Sequence, residues 1–371
     1  MKQIYKVAVA IFMLVIIAGC STQNISGKVV EPESIRIGSI LILTGDGASW
    51  GIASRNSIDM AVEEINSQGG INGKLLEVIH EDDQSDPKKA LSAFRKLTDV
   101  NKVDIIIGTT WSHTGLPLVD LADEKKVLMI SPSLGVKDFN EASEFIFNTW
   151  PHDSYLSQDL ADYVFEEGHR KVAIIGAQNV WVKDQTSAFQ DRFEELGGEV
   201  VLNVEPDPAD KDPYADAVKI KAQEDLDAIV STSGGCMMVG ALIGKQVREL
   251  EIDVPMYSLS VDDDTLGAAQ GAYEGMEFLT FLTPSKDFEA RYVEKFKTPV
   301  QIGGDSAYDA VMMLAKAMRE TGSTDTKVLQ KYLNEITVFE GVSGTLVSDG
   351  KGGFLKEYVA KTVQHGAMVT I

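Results

Sequence analysis

Cysteine is nearly absent from this chain. Cys20 and Cys236 are the only two in 371 residues, and histidine occurs only five times. With Cys20 assigned below to a processed terminus, one thiol remains, so an internal disulfide framework is excluded. No Cys or His spacing suits zinc, and the acidic clusters Glu81-Asp82-Asp83 and Asp262-Asp263-Asp264 lack the glycine and glutamate of a calcium loop. No metal and no cofactor are expected. Basic residues are also in deficit, 34 against 56 acidic ones, for a formal net charge of −22. Such a surface repels nucleic acid and anionic lipid. Stability must therefore come from packed cores, which about 335 globular residues supply by dividing into two domains. Cys236 is expected as a buried apolar residue or a cleft-lining thiol.

Long hydrophobic runs are scarce as well. The one at residues 7–17 is too short to span a bilayer. It follows Lys2 and Lys6 and precedes Ile17-Ala18-Gly19-Cys20, which resembles a bacterial lipobox, so residues 1–19 are assigned to a lipoprotein signal peptide. Cleavage would leave Cys20 as a lipid-bearing terminus. Residues 20–34, polar and containing Gly27 and Pro32, form a tether.

What is present is organised around residues 35–87. Ile35, Ile37, Ile40, Ile42 and Leu43 make the near-continuous apolar run of a strand covered on both faces. Gly45, Gly47 and Gly51 interrupt it. Ile58, Ala61, Val62 and Ile65 then recur at helical spacing, and Gly69-Gly70 stops the helix. A second strand follows, and Ser85-Asp86-Pro87 opens the next helix. This is a βαβ unit with its glycine-rich turn at the carboxyl end of a strand. Strands and helices keep alternating to residue 259, the pattern of a doubly wound α/β fold. The run at residues 104–110, DIIIGTT, is echoed at 227–233 by DAIVSTS, and the Gly69-Gly70 stop by Gly197-Gly198. Two lobes of similar plan are the economical interpretation.

The blocks LTGDGASWG, AVEEINSQGGINGK, EDDQSDPKKA, VDIIIGTTWS, LMISPS, HRKVAII, LDAIVSTSGG and AYDAVMMLAKAM occur in the order seen in a known family. Over the whole mature chain the sequence resembles type I periplasmic binding proteins, specifically the branched-chain amino acid (leucine/isoleucine/valine) group of ABC transporters. The resemblance implies two Rossmann-like lobes joined by a three-stranded hinge, with residues 35–150 and 282–348 in lobe 1 and 151–281 and 349–371 in lobe 2. Crossings are expected near 148–153, 279–284 and 347–353. It also implies a monomeric, non-enzymatic, extracytoplasmic protein that closes on a small solute and passes it to permease subunits. A ligand-sensing receptor would use the same fold.

In a doubly wound lobe the ligand lies beyond the carboxyl ends of the strands. The candidates are the turn at 45–51 with Trp50, the loop at 109–114 with Trp111 and Ser112, the loop at 131–135 with Ser133 and Gly135, and Trp181. By the resemblance, Ser112 binds a ligand carboxylate, Trp50 packs on the ligand, and Trp181 forms an aromatic wall. Cys236 and Met237 replace an aromatic pair, and Gly135 replaces a threonine that touches both charged groups of an amino acid. The family glutamate that pairs with the ammonium falls at Ser260, or at Asp262 after a two-residue slip. The Asp262-Asp263-Asp264 run is either that anchor or a solvated acidic loop. The loss of a clear clamp leaves amides, carboxylates and aromatic solutes open beside amino acids. A serine hydrolase is the alternative of another class, because residues 47–51 match G-x-S-x-G around Ser49. The strand ends too early for a sharp elbow, and no histidine context supports it.

Overall fold

In a computed structural model, the described residues are 34–371 except 234–236. The expected signal segment, Cys20, nearly all of the tether and Cys236 lie outside them. The first half runs β1 (Ile35–Leu41), α1 (Ala48–Ser67), β2 (Leu76–Asp82), α2 (Pro87–Arg95), β3 (Ile105–Gly108), α3 (Ser112–Gly115), α4 (Val119–Lys125), β4 (Leu128–Ser131), α5 (Lys137–Asn140) and β5 (Ile146–Asn148). It continues with α6 (Asp153–Glu166), β6 (Lys171–Ile175), α7 (Val180–Glu195), β7 (Glu199–Val204), α8 (Tyr214–Lys221), β8 (Ala228–Ser231), α9 (Met238–Glu249), β9 (Met256–Leu259), α10 (Asp263–Ala268) and β10 (Glu277–Thr280). The remainder is α11 (Lys286–Phe296), α12 (Gly304–Thr321), α13 (Thr326–Glu335), β11 (Val338–Gly341), β12 (Gly344–Ser348), β13 (Phe354–Leu355), β14 (Val359–Gln364) and β15 (Ala367–Thr370).

Both lobes are built on one plan. The first sheet is ordered β2-β1-β3-β4-β5, and the second contains β7-β6-β8-β9-β10, the same order. All pairings within these two runs of five are parallel. The echoing runs DIIIGTT and DAIVSTS supply β3 and β8, the third strand in each case. Such strands are apolar throughout because both faces are covered. Ile105 and Ile107 join a core cluster with helices α1, α11 and α12, while Ile106 between them joins the cluster on the other face. In the second sheet Val172 and Ile174 face one cluster, and Ala173 and Ile175 the other.

The last third completes the two lobes. Helices α11, α12 and α13 and the small sheet β11-β12-β13 add Phe288, Val311, Leu329, Phe339, Leu346 and Phe354 to the first-lobe core. Strands β14 and β15 extend the second sheet as an antiparallel edge. The chain passes between the lobes at residues 149–152, 281–285 and 356–358. The third passage is later than the expected 347–353, and residues 349–355 stay with the first lobe. The reason is local: β13 pairs back onto β12, Gly353 bridges to Asn148, and Phe354 is buried in the first-lobe core.

One aromatic ring and one ion pair knit these passages together. The Trp150 ring in the first stands edge-on to Phe281 in the second, with centroids 5.9 Å apart, and carries the Lys356 ammonium of the third 5.2 Å above it. Lys356 Nζ lies 3.6 Å from Asp305 Oδ2, with both side chains fully buried. That same oxygen accepts the Thr283 N–H at 3.2 Å, tying in the second passage.

Candidate functional site

Each sheet reverses its strand order beside its first strand, between β1 and β3 and between β6 and β8. Chain segments diverge there and leave a crevice at the carboxyl ends. In the first lobe the turn after β1 and the loop after β3 meet at this point. Gly47 adopts φ +84°, and a Cβ on it would fall 2.4 Å from the Trp111 ring, so only glycine lets the indole close over the turn. Trp50, in the first turn of α1, stands edge-on to Trp111 with centroids 6.1 Å apart. Ser112 is buried at the start of α3. Ser133 is buried in the loop after β4, where its hydroxyl donates to the Thr110 carbonyl at 2.8 Å.

Trp50 also reaches the other lobe. Its ring belongs to the cluster that holds Tyr257, Leu259 and Phe281, and its indole Nε1 donates to Asp262 Oδ2 at 3.1 Å. Asp262 follows β9 and caps α10, its Oδ1 accepting from Thr265 N at 2.8 Å and Thr265 Oγ1 at 2.6 Å. Both carboxylate oxygens are thus engaged by the protein. Burial raises the Asp262 pKa above the usual carboxylate range, against the pull of the Thr265 and Trp50 hydrogen bonds.

A second buried carboxylate, not singled out from the sequence, sits near the hinge. Asp153 is the first residue of α6. Its Oδ1 accepts from Trp150 Nε1 at 2.9 Å and its Oδ2 from Trp181 Nε1 at 2.7 Å. Burial pushes this carboxyl up to about 7, with Asp184 adding to the rise and the two indoles opposing it. Asp153 also explains Gly135. A Cβ at position 135 would lie 1.8 Å from Asp153 Oδ2, so the carboxylate occupies the space that a threonine side chain would need. Trp181 packs against the first-lobe cluster that includes Leu134 and Val136, and against the small cluster of Ala177, Val182 and Val239 that also takes Met237.

The structure therefore gathers Trp50, Trp111 and Asp262 at one place, and Gly135, Trp181 and Asp153 at another. Ser112 and Ser133 line the first-lobe strand ends between them in the chain. Sequence reasoning passed over Trp150 and Asp153 because they fall in a connecting segment with no strand or motif. The available signal was composition: Trp150 is the remaining one of four tryptophans, and the other three already lay in loops after strands.

Ser49 does not form a hydrolase site. It is the second residue of a regular helix, and its Oγ donates to Asp264 Oδ2 at 2.9 Å. A Ser–His–Asp chain does exist elsewhere, from Ser39 Oγ to His80 Nδ1 at 2.7 Å and from His80 Nε2 to Asp59 Oδ1 at 3.0 Å. Ser39 is fully buried within β1, so no substrate reaches it. Among the described residues no group of His, Cys, Asp and Glu could hold a metal ion, and no helix is long and apolar enough to cross a membrane.

Two equivalent α/β lobes, three connecting passages, and strand-end loops that meet between the lobes define the architecture of a two-lobed solute-binding protein. The periplasmic binding protein family matches residues 34–361, and the chain belongs to that family. It is 28% identical over 331 residues to the Leu/Ile/Val-binding protein homolog 3 of Brucella melitensis, covering 86% of this chain and 88% of that one. It is 26% identical over 355 residues to the leucine-, isoleucine-, valine-, threonine- and alanine-binding protein of Pseudomonas aeruginosa, covering 92% and 91%. Among solved structures, the branched-chain amino acid transporter substrate-binding protein LivJ of Streptococcus pneumoniae, in complex with isoleucine, superposes with a TM-score of 0.83 at 25% identity, covering 91% of this chain and 100% of that one. These relatives are binding proteins rather than enzymes, and the resemblance drawn from the sequence blocks agrees with them.

Proposed function

We propose that this protein captures a small solute, an amino acid or a related amide, carboxylate or aromatic compound, between its lobes and delivers it to an ABC transporter permease. The observation that carries this reading is the meeting of the two sets of strand-end loops, with Trp50 of the first lobe bonded to Asp262 of the second at 3.1 Å. A solute in that crevice would contact both lobes, and only such a ligand shifts an open–closed equilibrium. On the first-lobe side, Ser112 offers its hydroxyl and backbone amide to a carboxylate, while Ser133, whose hydroxyl donates to the Thr110 carbonyl, shapes the loop beside it. Trp50, Trp111 and Trp181 provide apolar walls, with Met237 beside Trp181. The names of the relatives favour leucine, isoleucine and valine as first candidates. Lipid on Cys20 would hold the receptor at the membrane, as a monomer.

Calorimetric titration with leucine, isoleucine and valine, and with the matching amine and carboxylic acid of each, tests the solute class. Saturable binding of at least one amino acid, weakened by Ser112→Ala and by Trp181→Ala, is expected. Binding that is unaffected by both substitutions would overturn the site. For the anchor, Cys20→Ala should release the protein from the membrane fraction; retention there would refute attachment through Cys20.

A further inference from the structure

The acidic run after β9 makes a set of contacts that neither sequence reading anticipated. Each of its three carboxylates accepts a hydrogen bond from a different residue of the opposite lobe. Trp50 Nε1 donates to Asp262 Oδ2 at 3.1 Å, Gln301 Nε2 to Asp263 Oδ2 at 2.8 Å, and Ser49 Oγ to Asp264 Oδ2 at 2.9 Å. Ser49 and Trp50 belong to the first turn of α1. Gln301 lies in the loop that leads into α12. Next to Gln301, Ile302 is buried in the same apolar cluster as Trp50, Tyr257, Leu259 and Phe281, so a dry plug lies behind the three bonds.

We propose that the Asp262-Asp263-Asp264 run is a clasp that holds the lobes closed, and that it sets solute affinity through the closure equilibrium without touching the solute. This rests on the binding function proposed above. Asp262 has little left for an ammonium, because Thr265 and Trp50 fill three of its roughly four acceptor positions and the residue is buried. Asp263 and Asp264 are exposed to solvent, yet each carboxylate of the run is also partnered by the opposite lobe.

The chemistry of the donors suits a device that must reopen. All three are neutral: an indole, a primary amide and a hydroxyl. An ion pair across the cleft would be weakened by salt, and its rupture would leave two charges to be rehydrated. Here opening exposes only neutral groups on the first lobe, while three adjacent carboxylates return to water on the second. Two of the three bonds lie at the exposed edge, where a single hydrogen bond contributes modestly, about fivefold in an equilibrium constant. The clasp therefore biases closure without locking it. A receptor whose binding-competent state is only partly populated loses affinity by that fraction, for every solute alike.

The test uses Ser49→Ala combined with Gln301→Met, neither of which is a residue assigned to the solute. Solution scattering on the solute-free variant should show a larger mean radius of gyration than the wild type at an unchanged melting temperature. For each of leucine, isoleucine and valine that binds the wild type, the variant should dissociate roughly ten- to thirtyfold faster by stopped-flow tryptophan fluorescence. The factor should be the same for each, with association unchanged and little dependence on salt. Unaltered scattering together with unaltered dissociation would overturn the clasp. A companion Asp262→Asn variant separates the two roles of that residue. Loss confined to solutes that carry an ammonium group would overturn the proposal in favour of an anchor, and an equal loss for the amino acid and its deaminated acid would support it. If none of the amino acids binds the wild type, the proposed solute class fails, and the scattering comparison still decides the clasp.

Discussion

Two of the zones where the lobes touch share indole-to-aspartate hydrogen bonds and differ in charge and exposure. At the hinge the contacts are buried and charged: Lys356 and Asp305 are fully buried, Trp150 links all three passages, and Asp153 accepts from two indoles. At the Asp262-Asp263-Asp264 run the contacts are neutral-to-carboxylate hydrogen bonds, two of them exposed. A buried charge pair costs several kcal/mol to break, whereas an exposed hydrogen bond costs about one. The difference predicts that, on bending about the connecting segments, the hinge contacts should persist and the contacts of the acidic run should part.

The largest effect should come from the hinge. Lys356→Met leaves Asp305 buried without its cation and should lower unfolding stability by about 3–5 kcal/mol, read from the urea midpoint. Adding Asp305→Asn should recover most of that loss. A double variant no better than the single one would show that packing on Trp150, and not charge, is what Lys356 contributes.

Next in size is Gly135→Thr. The new side chain collides with Asp153, so stability should fall by about 1–3 kcal/mol, and by clearly less in an Asp153→Ala background. Equal losses in both backgrounds would detach Gly135 from the hinge carboxylate.

Asp153 also predicts a pH dependence. Its folded pKa, about 7, lies above the ordinary aspartate value of 3.8, so folding favours the protonated form. That contribution is fully present below about pH 4 and is lost as pH rises through about 7. Melting temperature should therefore fall over this window. In Asp153→Asn that part of the slope should vanish, on a lower plateau, because an amide oxygen serves only one of the two indoles. An unchanged slope would assign it to other buried carboxyls, such as Asp309, which burial also raises, to about 6.

The smallest effect is expected at Ser112. Ser112→Ala should weaken solute binding by roughly three- to tenfold, the scale of one hydrogen bond, with stability unchanged.

Much of the fold was legible in the sequence because a parallel sheet writes itself as apolar runs. DIIIGTT and DAIVSTS revealed equivalent strands before either was placed, and Gly69-Gly70 marked a helix end that has positive φ at both residues. The last passage was misplaced because Phe354 and Leu355 form a two-residue strand, too short for any periodicity to show. The candidate site was legible to the extent that strand-end loops meet there, which the placement of Trp50, Trp111 and Trp181 in such loops suggested. Asp153 was not, since its importance comes from two indoles, one of them 28 residues away, that only the fold brings to it. The acidic run looked ambiguous for the same reason. Its donors lie 212, 38 and 215 residues distant in the chain.

The most direct test of the division between hinge and acidic run is amide hydrogen exchange with and without a saturating amino acid. Residues 149–152 and 356–358 should be protected to the same degree in both states. The first turn of α1 and residues 262–266 should gain protection only when solute is bound. Equal changes in both zones, or a change confined to the hinge, would contradict the account.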